Sequence, residues 1–243
     1  MPGFEKLITR DPKTINTSIV KEDIEARKDK TFFPYTGTQV FCGRQGKGKT
    51  ISMVYELMKI KAKYPECKVC TNLKLIVPWD YVTFSDIDSL AKALSEVNNG
   101  TKGVVYAIDE IHTYFNALDS KNIPSYIFTQ ISQQRKQRKL ILGTSQLFLR
   151  IAKPFREQCD IIVMCDCIGG VFNIMRAYDG ATLSTDDDGH IMGELKKVGW
   201  FMQTPELRSC YDTYQVVVSG REEYEQAVNL KTELNIKGGR LRR

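Results

Sequence analysis

Gly43-Arg44-Gln45-Gly46-Lys47-Gly48-Lys49-Thr50 fits the spacing G-x-x-x-x-G-K-[ST]. Glycines at those positions let backbone N–H groups wrap a phosphate chain, and the helix that follows turns its N-terminus to the negative charge. Lys49 is placed to reach the β- and γ-phosphates of ATP, and the Thr50 hydroxyl to bind Mg²⁺. Such a loop needs a second carboxylate for the metal, delivered from the end of a strand. Asp109 closes the apolar run Val104–Ile108 and suits that role. Glu110 follows directly and is placed to orient and deprotonate a water, which is the requirement of hydrolysis. The plainer reading, an acidic pair that merely caps a strand, leaves the phosphate loop without a metal partner. Gln146 ends another apolar run, Leu140–Ser145, where its amide could bond both the γ-phosphate and the water; a simple turn residue is the alternative.

The elements that must carry these residues alternate. Thr38–Cys42 reads as a short strand leading into the loop, and Ile51, Val54, Leu57 and Met58 recur at helical spacing after it. Lys68–Val77 is a second strand region, followed by an amphipathic helix capped at Ser85 and stopped at Asn98-Asn99-Gly100. Gly103–Ile111 is an apolar strand, a helix runs from near Pro124 through Arg138, and Leu140–Ser145 and Ile161–Cys165 are buried strands. Near-continuous apolar strands separated by helices predict an α/β fold with a parallel sheet covered on both faces. After Gly169 the pattern changes to hairpin-like strands at Val171–Tyr178, Ile191–Gln203 and Asp212–Ser219. The division expected is a lead-in segment over 1–35 with a short helix near Val20–Arg27, a core over 36–170, a β-rich extension over 171–220, and a helix with a basic tail over 221–243.

The 243 residues are 42% hydrophobic and 26% charged, the composition of a globular chain long enough to bury a core without disulfides or a structural metal. No window approaches the ~18 uninterrupted apolar residues of a membrane helix, and the first residues lack a signal-peptide core. A cytoplasmic location, the host cytoplasm for a viral protein, with no membrane insertion by this chain is the expectation. The seven cysteines include two close pairs, Cys67/Cys70 and Cys165/Cys167, but only two histidines accompany them. Both pairs border strand-like runs, so buried thiols are expected in place of a zinc site.

The net charge of +6 is uneven. Between Ser132 and Arg156 lie Arg135, Lys136, Arg138, Lys139, Arg150, Lys153 and Arg156 with no acid, a local +7. The tail from Asn229 carries +4, including Arg240, Arg242 and Arg243, which leaves −5 for the rest. Positive charge concentrated on an acidic body suits contact with a phosphate backbone. Lys136, Lys139, Lys153, Arg240, Arg242 and Arg243 are the candidate DNA contacts. Arg135, Arg138, Arg150 and Arg156 are candidates for an arginine that stabilises charge in a neighbouring subunit's site, and the sequence does not choose among them.

Taken together, FCGRQGKGKT, KVCTNLKL, VVYAIDEIHTYF, QQRKQRKLILGTSQ and LRIAKPFREQCDIIV resemble the FtsK/HerA superfamily of P-loop motors. Within it the resemblance is strongest to the zonular-occludens-toxin-like ATPases of filamentous phages and to viral genome-packaging ATPases. It covers about residues 36–170. The resemblance implies a RecA-like core in which the Gln146 strand separates the P-loop strand from the Asp109 strand. It also implies homo-oligomeric rings, expected to be hexamers, and ATP-driven movement of DNA. By position, Lys49 and Thr50 match the Walker A lysine and threonine, Asp109 and Glu110 the Walker B pair, and Gln146 the polar sensor. The filamentous-phage members typically carry a membrane-spanning helix after the ATPase domain; none is found here, which shifts weight toward a packaging or translocation motor. The rival expectation is an ATPase that powers virion or secretion-complex assembly through contacts with a capsid, portal or assembly protein. A small-molecule P-loop kinase is a third, disfavoured because it would not need Glu110.

Overall fold

The computed structural model describes residues 31–121, 123–133, 137–185 and 191–212. The helix expected near Val20–Arg27, the final helix and the tail with Arg240, Arg242 and Arg243 lie outside the described residues, as do Arg135 and Lys136. Ten strands and five α-helices are described: β1 (Gly37–Cys42), α1 (Lys49–Lys63), β2 (Lys68–Thr71), β3 (Val82–Thr83), α2 (Ile87–Glu96), β4 (Val104–Ile108), α3 (Ser125–Ser132), β5 (Lys139–Ser145), α4 (Lys153–Arg156), β6 (Ile161–Ile168), β7 (Phe172–Asp179), β8 (Ser184–Thr185), β9 (Ile191–Met192), β10 (Leu195–Met202) and α5 (Pro205–Ser209). Eight of the strands form one sheet in the order β10-β7-β6-β1-β5-β4-β2-β3. From β6 to β3 every pairing is parallel. β5 lies between β1 and β4, so the phosphate-loop strand and the Asp109 strand are separated as the RecA-like expectation requires.

The strands are apolar on both faces because the sheet is covered on both. Period-two alternation sends Val40, Tyr106, Ile108 and Ile141 to one side, where α2 and α3 contribute Leu90, Leu94, Ile127 and Ile131. Phe41, Val105, Ala107, Leu140 and Leu142 point to the other side and meet Met53, Val54, Leu57 and Ile60 of α1.

The strand-rich segment after Gly169 continues the same sheet. Gly169 and Gly170 both have positive φ, 59° and 72°, the geometry of a tight hairpin turn. β7 therefore folds back antiparallel on β6, and β10 on β7. β8 and β9 form a small separate pair.

Several elements differ from the sequence expectation, among them Ile191–Gln203, which divides into β9 and β10 in different sheets. The helix cap falls on Asp86, one residue past Ser85. Its carboxylate accepts from Ser89 N at 2.8 Å while Ser89 Oγ accepts from Asp86 N at 3.1 Å, a reciprocal box in which the Ser85 hydroxyl instead donates to Asp86 Oδ2 at 2.9 Å. The Ser89 amide is the main reason the Asp86 carboxyl is held below its usual range. Asp86→Ala is expected to cost about 1 kcal/mol, read as a fall of about 2–4 °C in melting temperature. Because the folded pKa is depressed, this contribution is present above the ordinary Asp range and is lost as pH falls through the folded pKa.

The helix after Pro124 ends at Ser132, well short of Arg138. Arg138 takes φ 49° and its carbonyl accepts Val104 N, so the chain has already turned into the sheet there. Finally, β2 stops at Thr71, because the Asn72 side chain bonds across to Asp109; beyond it only Leu75 bridges, antiparallel to Tyr211. Among the described residues no helix is long and apolar enough to cross a membrane.

Candidate nucleotide site

Residues 43–50 leave the end of β1 and enter α1 at Gly48, which caps the helix at φ 75°, ψ 27°. Two constraints meet at that glycine: the left-handed backbone disfavours any Cβ, and a Cβ would overlap the side-chain amide of Asn173 from β7. Asn173 is fully buried and donates Nδ2 to Gly48 O and Ser52 Oγ, both at 3.3 Å. Lys47 pairs outward with Asp166 of β6 at 2.7 Å. Lys49 is buried and folds back so that Nζ lies 3.5 Å from Arg44 O.

The ends of β1, β2, β4 and β5 converge on Asp109. Thr50 Oγ1 donates to Asp109 Oδ1 at 2.8 Å and Thr144 Oγ1 donates to the same oxygen at 2.6 Å. Asn72 holds the Asp109 backbone at both ends, with Nδ2 donating to the carbonyl at 2.9 Å and Oδ1 accepting the N–H at 2.8 Å. Burial raises the Asp109 pKa, opposed by the Thr144 and Thr50 hydroxyls and by Lys49. A buried carboxylate touching the hydroxyl of the phosphate-loop threonine is a hard-oxygen pair suited to Mg²⁺. Among the described residues no cluster of three or more His, Cys, Asp or Glu forms a metal cage. A cation at this place fits the pattern in which substrate phosphates complete the shell.

Glu110 turns the chain out of β4 with φ 49°, ψ 51°, a left-handed conformation that is strained for a residue with a side chain. Thr144 Oγ1 pins it there by accepting Glu110 N at 2.8 Å. β4 and β5 meet closely at this point: a Cβ on Gly143 would overlap Ile111. Burial, and then the Asp109 charge, raise the Glu110 pKa, so the carboxylate binds a proton more readily than an exposed glutamate. Its Oε2 is buried with no aligned donor, although His112 Nδ1 is only 3.2 Å away. Ser145 Oγ donates to Leu147 O at 2.8 Å and lies 3.4 Å from His112 Nδ1. Burial, then the charges of Arg150 and Lys49, hold His112 below its usual pKa and keep it neutral. Glu110 Oε2 is thus a buried acceptor beside the phosphate loop.

Glu110, together with Gln45, Gly46 and residues 48–51, lines a cleft of about 650 Å³ that Cys167, Gly170, Gln203, Arg208 and Tyr211 also border. Gln146 sits past the end of β5, with Oε1 3.4 Å from Arg150 Nη1, outside that lining. Arg150 is close enough to Glu110 and His112 to act on both electrostatically from within the same chain. Arg156 is half-buried near the Phe148 ring, its Nε without a partner. Lys153 is exposed beside Glu157.

The basic run does not stay together. Arg138 stacks on Phe32 at 3.8 Å and donates to Phe33 O, at the opposite end of β5 from Gln146. Its guanidinium holds the entry segment in place at that end. Lys139 differs from the expectation of a DNA contact: only 1% exposed, it donates to Leu94 O from inside the core. Of the paired cysteines, Cys67, Cys70 and Cys165 are buried and Cys167 partly so; burial pushes the Cys70 and Cys165 thiols up to about 12.

Asn72, Thr144, His112 and Asn173 were missed as site residues. The available signal was a lone polar residue inside or just beyond an apolar strand.

No family model matches this sequence, and no curated protein matches it. Among solved structures, the N-terminal domain of zonular occludens toxin from Neisseria meningitidis superposes with a TM-score of 0.52 at 15% identity, covering 72% of this chain and 98% of that chain. The two share a fold. Lower scores go to the genome packaging NTPase B204 of Sulfolobus turreted icosahedral virus 2 in complex with AMPPCP (0.47, 12% identity, 64% and 95% covered) and to B204, the DNA-packaging ATPase from Sulfolobus turreted icosahedral virus (0.45, 12% identity, 64% and 95% covered).

Proposed function

We propose that the chain is an ATP-hydrolysing motor that moves DNA in packaging or translocating a viral or mobile-element genome. The observation that carries this reading is one arrangement: Thr50 and Thr144 both on Asp109 Oδ1, with the orphaned Glu110 Oε2 beside the same phosphate loop. In this reading the amides of Gly43–Thr50 and the Lys49 ammonium hold the phosphates, and Thr50 and Asp109 hold Mg²⁺. The cation would supply charge neutralisation at the transferring phosphoryl group. Glu110 Oε2 takes the proton of the attacking water, and its raised pKa makes it a better acceptor. Gln146, joined to Arg150, is the polar reporter of nucleotide state. A ring, expected to be hexameric, would let Arg156 or Arg150 face a neighbouring site, while Lys153 meets the DNA backbone.

A second reading, an ATPase that drives assembly through protein contacts, is favoured by one observation. Ile168, Val171, Trp200 and Met202 are 56%, 43%, 66% and 54% exposed at the sheet end next to the cleft. Exposed apolar groups of this kind mark protein contacts when they are contiguous. The two readings part in a turnover assay with and without single- and double-stranded DNA at about 50 and 200 mM salt. The motor reading expects severalfold stimulation that falls steeply with salt. Turnover indifferent to both DNA forms would overturn it in favour of assembly.

A further inference from the structure

The cleft holds a cation with no part in the scheme above. Arg208, on α5, lines the same cleft as the phosphate loop. Its side chain is exposed yet held at two points: Nε donates to Gln203 Oε1 at 2.9 Å, and Nη2 to Gly170 O at 2.6 Å. Both partners are neutral oxygens, so the guanidinium is oriented by them without being neutralised. Five N–H donors are available on the group, and these contacts occupy two. A planar fork already fixed in place loses little freedom when it meets an anion.

Gln203 is itself fixed. Its Nε2 donates to Asn173 Oδ1 at 2.5 Å, and Asn173 in turn donates to Gly48 O and Ser52 Oγ of the phosphate loop and α1. A continuous chain of hydrogen bonds therefore runs from the loop backbone through two side-chain amides to Arg208. The chain supplies the partners of the fully buried Asn173 of β7, which an aliphatic side chain could not bond. It also sets Arg208 at a defined place relative to the loop.

We propose that Arg208 is a nucleotide-binding residue supplied by the same chain as the phosphate loop, its guanidinium contacting the phosphates of a nucleoside triphosphate in addition to Lys49, in a position set by Gln203 and Asn173. The inference rests on the nucleotide reading of the cleft and adds a second cation to it. A merely structural Arg208 would pin the Gly169–Gly170 turn and do nothing more.

The test is displacement of a fluorescent ATP analogue from the full chain, comparing wild type, Arg208→Ala and Arg208→Lys, with melting temperatures taken in the absence of nucleotide. The expected result is about tenfold weaker ATP binding in Arg208→Ala, at most partial recovery in Arg208→Lys, which keeps the charge but not the fork, and unchanged melting temperatures. Affinity for Arg208→Ala within about twofold of wild type overturns this inference alone. So does a loss that comes with a lowered melting temperature in both variants, since that is the turn-pinning role. Wild type that binds no ATP overturns the nucleotide reading and this inference with it.

Discussion

Glu110→Gln is expected to lower ATP turnover by about 10²–10⁴-fold while ATP binding stays within about twofold of wild type. The amide is isosteric with the carboxylate, so Asp109, Thr50 and the loop keep their contacts. What disappears is the ability of Oε2 to accept a proton. That oxygen is buried and has no aligned donor, although Asp109 and His112 crowd it. Burial and the Asp109 charge already raise its proton affinity, so the site favours protonation at the moment water is deprotonated. Measuring turnover and analogue binding in parallel checks the claim. Unaltered turnover in the variant would remove Glu110 from the chemistry, and lost binding would show that it acts on the nucleotide instead.

Thr144→Val is expected to lower both stability and turnover although it preserves the shape of the side chain. Thr144 is fully buried and its one hydroxyl serves two groups, donating to Asp109 Oδ1 and accepting Glu110 N. Valine fills the same space but leaves the Glu110 amide without a partner and Asp109 Oδ1 with Thr50 as its hydroxyl donor. The orphaned Glu110 amide costs about 1–3 kcal/mol and the lost Asp109 contact about 1 kcal/mol more, for a total of roughly 2–4 kcal/mol. At about 2–4 °C per kcal/mol, the melting temperature should fall by roughly 4–16 °C. Losing the bond that pins the left-handed Glu110 backbone should also lower turnover by about tenfold or more. Thr144→Ser keeps the hydroxyl and is the control. Equal melting temperatures for the valine and serine variants would show that the hydroxyl bonds contribute nothing to stability.

The parts of the site that were legible in the sequence are those whose chemistry is local. The phosphate loop is eight consecutive residues with a strand before and a helix after. Asp109 and Glu110 announce themselves as acids ending an apolar strand. The order β1–β5–β4 followed from a family resemblance and not from spacing, since no periodicity says which strands become neighbours. Thr144, Asn72 and Asn173 gain their roles only when strands distant in sequence lie side by side, and a single threonine or asparagine carries no pattern of its own. The opposite error arose for the same reason. Arg138 and Lys139 look like part of one basic surface with Arg150 and Arg156, yet β5 runs between them through the core and parts the two groups. At α2, Ser85 and Asp86 are both good caps, and only the Ser89 reciprocity decides between them.

The central claim, that Glu110 directs water at the terminal phosphate of ATP held by the loop, has a direct test. Turnover of ATP by the full chain with Mg²⁺ in ¹⁸O-labelled water, read by mass spectrometry of the phosphate, reports where the phosphoryl group goes. The account predicts ADP together with inorganic phosphate that carries ¹⁸O, and loss of that product in Glu110→Gln. ADP formed without labelled inorganic phosphate, its phosphoryl group passed to another acceptor, would contradict it.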